Sequence, residues 1–160
     1  MVSRQSRVIL IHNVVAPYRL PLFQQLSEAP FLELEVYFLR ESASNRRWRS
    51  GRPDQFKHRI LPGIELSFKG QDVFSYVINP TAPFELLETE YDVVITSGWL
   101  DFACQIAFFI SKARRKTYVL WAESTINEPS WRRTVSLPLV KLMVRGADAC
   151  IACGTRSTEY

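Results

Sequence analysis

The chain has 160 residues, 47% of them hydrophobic and 22% charged. That length holds one domain with a sizeable core, and that composition excludes an intrinsically disordered chain. The formal charge of +4, carried mostly by arginine, is too small to indicate nucleic acid and would suit an anionic substrate or an anionic membrane surface.

Apolar, β-branched runs alternate with amphipathic stretches along the chain, which is the pattern of βαβ units. Strands are expected at residues 7–11, 33–39, 56–61, 92–96, 117–121 and 148–152. Runs such as Val8-Ile9-Leu10-Ile11 are continuously apolar, as parallel strands covered on both faces should be. Helices are expected at 21–28, 83–90, 102–115 and 131–145. Asp101 is placed to cap the third helix, with Phe102, Ile106, Phe109, Ile110 and Ala113 as its buried stripe. Pro138 should kink or split the fourth near Leu137. Residues 40–54 have no apolar periodicity and read as a long exposed loop.

This order predicts an α/β fold: a doubly wound, mostly parallel Rossmann-like sheet with helices on both faces. Ligands bind such sheets beyond the carboxyl ends of the strands, near the point where strand order reverses. The rule selects the loops 13–20, 97–101, 122–130 and 154–157.

The first of these loops, Asn13 to Leu20, has no glycine, which argues against NAD and FAD, because a pyrophosphate needs close backbone approach there. No Walker A sequence is present either. Pro21 suits the first helical turn and would leave Pro17, Tyr18 and Arg19 projecting over the carboxyl edge. Arg19 is either a surface salt-bridge partner or a ligand contact. After the fifth strand come Glu123, Ser124 and Thr125. A carboxylate at a strand tip can accept a proton from a substrate hydroxyl, or merely cap a helix. Gly98 permits an unusual backbone angle or a close ligand, and Trp99 either lines a cleft or covers the core.

Other signals carry less. Cys150 and Cys153 lie three apart on an expected strand and so face opposite sides, which argues against a metal or redox pair. Cys104 completes an odd set, expected to stay reduced in a chain with no visible export signal. Glu33 and Glu41 have E-x7-E spacing but flank a strand. His12 and His58 are isolated, and a structural role is the simpler expectation for His12. Neither a metal nor a cofactor is expected.

Taken together, His12-Asn13, then Ala16-Pro17-Tyr18-Arg19-Leu20-Pro21, Ser97-Gly98-Trp99, Leu120-Trp121-Ala122-Glu123-Ser124 and Ala147 to Gly154 resemble the N-terminal domain of family 4 glycosyltransferases, which have the two-domain GT-B architecture. The resemblance implies sugar transfer from a nucleotide-sugar donor to an acceptor hydroxyl on a glycolipid, lipid-linked or polysaccharide acceptor. It implies that residues 1–160 are the acceptor-side half, with the donor-binding domain and its E-x7-E outside them. Asn13, Pro17, Tyr18, Arg19, Gly98, Trp99 and Ser124 would then meet the acceptor. In several members a histidine follows the fifth strand, whereas here that position carries Glu123, the candidate catalytic residue. A non-catalytic binding module that recruits a separate donor subunit is the alternative. Arg46, Arg47, Arg49 and Arg52, with Trp48 among them, are candidate contacts for an anionic membrane. The expected location is the cytoplasm, peripheral on the inner face of a membrane.

Overall fold

The computed structural model describes residues 4–42, 52–68, 74–122 and 131–154. Strand β1 (Ser6–His12), helix α1 (Leu20–Ser27) and strand β2 (Leu32–Phe38) make a βαβ unit, and β3 (His58–Ile60) follows. A hairpin of β4 (Ile64–Phe68) and β5 (Phe74–Ile78) comes next, then α2 (Ala82–Glu88), β6 (Val93–Ser97) and α3 (Phe102–Ala113). The chain continues through β7 (Thr117–Ala122), α4 (Trp131–Gly146) and β8 (Ala149–Ala152).

Six strands form one parallel sheet in the order β3-β2-β1-β6-β7-β8. This is the expected doubly wound, Rossmann-like arrangement. From β1 the chain builds outward to β2 and β3, then crosses back to place β6 on the other edge of β1. The order therefore reverses between β1 and β6.

Side-chain parity divides the core. Val8, Leu10, Val36 and Phe38 face Phe23 of α1 and Phe56. Their alternates Ile9, Ile11, Tyr37, Val94 and Tyr118 face Leu86 of α2, Ala107 and Phe108 of α3, and Met143 of α4. Because β1 is covered on both faces, its sequence is apolar at every position from Val8 to Ile11.

Five local expectations need correction. The β4–β5 hairpin lies in a region to which the sequence reading assigned no element. The fully buried residues of α3 are Ala103, Cys104, Ala107, Phe108 and Ser111; of the expected stripe, Ile106 and Ile110 pack against the core, whereas Phe109 and Ala113 are exposed. The end of α4 comes close to α3, since an added Cβ on Gly146 would lie 2.8 Å from the Phe108 ring. Asp101 is the N-cap residue of α3 but makes no side-chain cap hydrogen bond. Of the two outcomes expected at Pro138, a split does not occur, since α4 runs unbroken from Trp131 to Gly146; the proline is exposed, where solvent can satisfy the carbonyl its ring leaves without a donor. The 40–54 loop is also less exposed than expected at its start, since the Arg40 side chain is only 14% accessible.

Candidate functional site

At the point of strand reversal, β1 ends at His12 and β6 ends at Ser97. These residues are 85 positions apart, yet His12 Nδ1 and Ser97 Oγ are 2.7 Å apart and hydrogen-bonded. The His12 ring meets Phe23 and Phe38 edge-on and stacks on Trp121 at 6.2 Å between centroids. Burial, reinforced by the nearby Arg19 charge, lowers its pKa to about 4. At neutral pH this imidazole is uncharged, a hydrogen-bonding group rather than an effective base.

The next residue along the edge is Gly98, at φ +99. Its N–H donates to the Trp121 carbonyl at 2.9 Å, which fixes the turn against the end of β7. Among the described residues, a Cβ built at Gly98 would meet nothing within 4 Å, so none of them fills the space beside this backbone. A turn that requires glycine and faces open space beside a His–Ser pair suits close approach of a ligand.

Arg19 supplies positive charge at the rim. It is the N-cap residue of α1, and its guanidinium lies over the Trp121 ring at 4.8 Å and the Tyr18 ring at 5.4 Å. Trp121 therefore positions both His12 and Arg19, while its own Nε1 donates to Cys153 Sγ at 2.9 Å. Val14, Val15 and Ala16 are buried beneath this loop, and Pro17 and Tyr18 are exposed above it. A planar guanidinium at such an edge matches carboxylate or phosphate.

The opposite wall is a polar network centred on Asn13. Asn13 Nδ2 donates to Asp101 Oδ2 at 2.6 Å, and its Oδ1 accepts from Arg40 Nη2 at 2.6 Å and Nε at 3.2 Å. Arg40 Nη1 donates to Glu65 Oε1 at 2.6 Å and Ser75 Oγ at 2.8 Å, and the Val77 N–H donates to Asp101 Oδ1 at 3.1 Å. Desolvation raises the Asp101 pKa, against the hydrogen bonds from Val77 and Asn13 and the Arg40 charge. Asp101 thus bonds the hairpin to the end of β1 instead of capping its own helix. Trp99, 7% exposed, lies in the core cluster, the second of its two sequence readings.

Among the sequence candidates, the crevice gathers Asn13, Arg19 and Gly98, with Pro17 and Tyr18 at its rim. Glu123 and Ser124 lie outside the described residues, as do Arg46, Arg47, Trp48 and Arg49, while Arg52 is exposed. Cys150 and Cys153 are both exposed, and neither is in a disulfide. Among the described residues no group of three or more His, Cys, Asp or Glu side chains could hold a metal ion. His12, Ser97, Arg40 and Asp101 complete the site. Sequence position gave a signal for the first two, since both end strands at the edge where ligands bind. For Arg40 there was none, because its partners lie on the unassigned hairpin.

A concavity of about 270 Å³ lies elsewhere, at the amino edge of the sheet, lined by residues including Arg7, Glu33, Glu35 and Lys57. Its buried Glu35 is paired with Lys57 and Arg59, an arrangement that reads as ion pairing holding β2 to β3.

No family model and no curated protein matches this chain. Among solved structures it is similar to MurG of Acinetobacter baumannii, with a TM-score of 0.53 and 7% identity over 95% of this chain. The chain spans 42% of the length of that protein. The likeness is one of fold: a Rossmann-like domain of the kind that builds GT-B glycosyltransferases.

Proposed function

We propose that this domain is the acceptor-side half of a glycosyltransferase of the family 4 kind. It would hold a glycolipid, lipid-linked or polysaccharide acceptor while a nucleotide sugar is presented by a second, donor-binding domain. That domain belongs to the same polypeptide or to a separate subunit. The observation that carries the reading is the open side of Gly98, beside the His12–Ser97 pair at the strand-reversal point. The GT-B-like fold is what makes sugar transfer the reaction to test there.

In this reading Arg19 meets an anionic group of the acceptor, and Asn13, Pro17, Tyr18, Gly98 and Ser124 shape the surface around it, while Trp99 stays in the core. Neutral His12 orients a hydroxyl without competing for its proton. A bond forms between the acceptor oxygen and the anomeric carbon, the bond from that carbon to the nucleotide phosphate breaks, and Glu123 takes the hydroxyl proton. The enzyme works in the cytoplasm, peripheral on the inner face of a membrane, with Arg46, Arg47, Trp48, Arg49 and Arg52 near the lipid.

The test is turnover of nucleotide sugars by the domain joined to its donor partner, using lipid-linked and polysaccharide acceptors. Glu123→Gln keeps the side chain's shape and removes its basicity, so turnover falls about 10²–10⁴-fold with thermal stability unchanged. A folded Glu123→Gln protein with undiminished turnover would overturn the assigned role.

A further inference from the structure

Helix α3 is apolar on almost every side. Between Phe102 and Ala113 only Gln105, Ser111 and Lys112 are polar, and a helix of that composition ordinarily lies buried all round. Its small residues Ala103, Cys104, Ala107 and Ser111 face the core, while Phe109 stands 48% exposed and Ala113, one turn on, is exposed as well. Helix α2 shows the same division. Ala82 and Leu86 are buried, whereas Phe84 and Leu87 are 66% and 53% exposed.

The two helices lie side by side with their carboxyl ends level. Arg114, just past the end of α3, donates through Nη1 to the carbonyls of Leu86 at 2.8 Å, Leu87 at 3.2 Å and Thr89 at 3.3 Å, and through Nη2 to Glu90 Oε1 at 3.1 Å. The exposed apolar residues of α2 and α3 therefore belong to one surface of the helical layer. At that end the bordering charges are opposite in sign: Glu88 closes α2 and Arg115 follows α3, both exposed. Among the described residues neither is in an ion pair. Arg115 also sits at φ 55, the left-handed position past a helix end where glycine is favoured and a Cβ is strained. Such strain at an exposed arginine points to a use outside its own fold.

Charge decides the occupant. Two chains of charge +4 repel, and a contact between them is favoured where opposite charges meet. This surface carries one of each sign. A twofold axis parallel to the helices lays α2 of one copy along α3 of the other, with their carboxyl ends still level. Glu88 then meets the partner's Arg115, Arg115 meets the partner's Glu88, and Phe84 and Leu87 pack on the partner's Phe109. We propose that the outer face of α2 and α3 is a symmetric self-association surface through which two copies of this protein pair. Two phenylalanines and a leucine from each copy make a small contact, which suits a dimer in the micromolar range rather than an obligate one. The contact is on the helical layer and the crevice is at the carboxyl edge of the sheet, so pairing is independent of glycosyl transfer.

The experiment is sedimentation velocity of the whole chain from micromolar to sub-millimolar concentration, with a reductant so that exposed Cys150 and Cys153 do not cross-link copies. Wild type passes from monomer to dimer across that range. Phe84→Ser with Phe109→Ser lowers the association constant about 100-fold. Both positions are exposed, and a cooperative thermal transition in dilute protein shows that each variant is folded. Glu88→Arg or Arg115→Glu alone lowers the constant about tenfold, and the two together restore it, because the exchanged charges meet again. Arg115→Gly separates backbone from side chain: it relieves the strain and raises the melting temperature of the dilute monomer, yet weakens pairing. A chain monomeric at every concentration, a dimer indifferent to the serine changes, or no restoration by the double exchange would each overturn the inference. So would a chain that stays monomeric and sediments with lipid vesicles through Phe84 and Phe109, since the occupant would then be a bilayer.

Discussion

Arg40→Met tests whether the Asn13 network holds the hairpin in place. Methionine keeps most of the stem and removes the guanidinium. Asn13 Oδ1 then loses both donors, Ser75 loses its own, and Glu65 loses a counter-ion at 2.6 Å. Removing one member of a buried ion pair costs about 3–5 kcal/mol. Glu65 retains 26% side-chain exposure and rehydrates in part, which places the expected loss at the lower end, about 3 kcal/mol. In a domain of this size the melting temperature then falls by roughly 6–12 °C. Urea and thermal unfolding give the magnitude, and amide exchange locates it: the Val77 N–H, bonded to Asp101, loses protection before the amides of β1 do. Asn13→Ala combined with Arg40→Met should cost less than the sum of the two, since they share one interaction. A loss below about 0.5 kcal/mol with Val77 still protected would refute the latch.

His12 gives a pH dependence. Its folded pKa of about 4 lies below the ordinary 6.5, so between these values the unfolded chain binds a proton that the folded chain refuses. The stability present above pH 6.5 is lost as pH falls toward 4, about 3 kcal/mol in all. His12→Asn, which can still bond Ser97, flattens that part of the urea-stability profile; an unchanged slope would place the dependence elsewhere. Gly98→Ala costs about 1–2 kcal/mol through backbone strain alone, measured by thermal melting, because none of the described residues lies within 4 Å of the new methyl. A larger loss would mean the space is not open. Arg19→Ala raises KM for an anionic acceptor roughly 10–100-fold, and a change in melting temperature with KM unaltered would reduce Arg19 to its stack on Trp121.

The centre of the sheet was legible because burial on both faces writes continuous apolar runs, as in β1, and all six strands fall where periodicity put them, although β8 is exposed throughout. The hairpin was not, since Ile64-Glu65-Leu66-Ser67 alternates but offers its apolar side to the outside, so alternation alone cannot reveal what the polar side meets. The side of α3 that packs was misjudged for a related reason. Bulk marks hydrophobic residues in a sequence, whereas close helix-to-sheet contact favours Ala103 and Ala107 and leaves Phe109 in solvent. The loops bordering the crevice followed from strand order alone. The Asn13–Arg40–Asp101 network depends on three segments distant in sequence, and no local pattern encodes it.

The position of β1 also bears on how the protein is made. It is made before the other strands of this sheet, and β2 supplies one of its edges early, from Ser6↔Leu32. The other edge waits for β6, where Val8 pairs with Val93. At translation rates of about 5–20 residues per second that delay is seconds, whereas chain collapse takes about 10–100 μs. An apolar central strand thus stays half-paired for that interval, a state open to wrong partners and to chaperones. The His12–Ser97 bond can form only when the two halves of the sheet join. Maturation of the crevice and closure of the central sheet are therefore one event, and a nascent chain cannot present the first without the second.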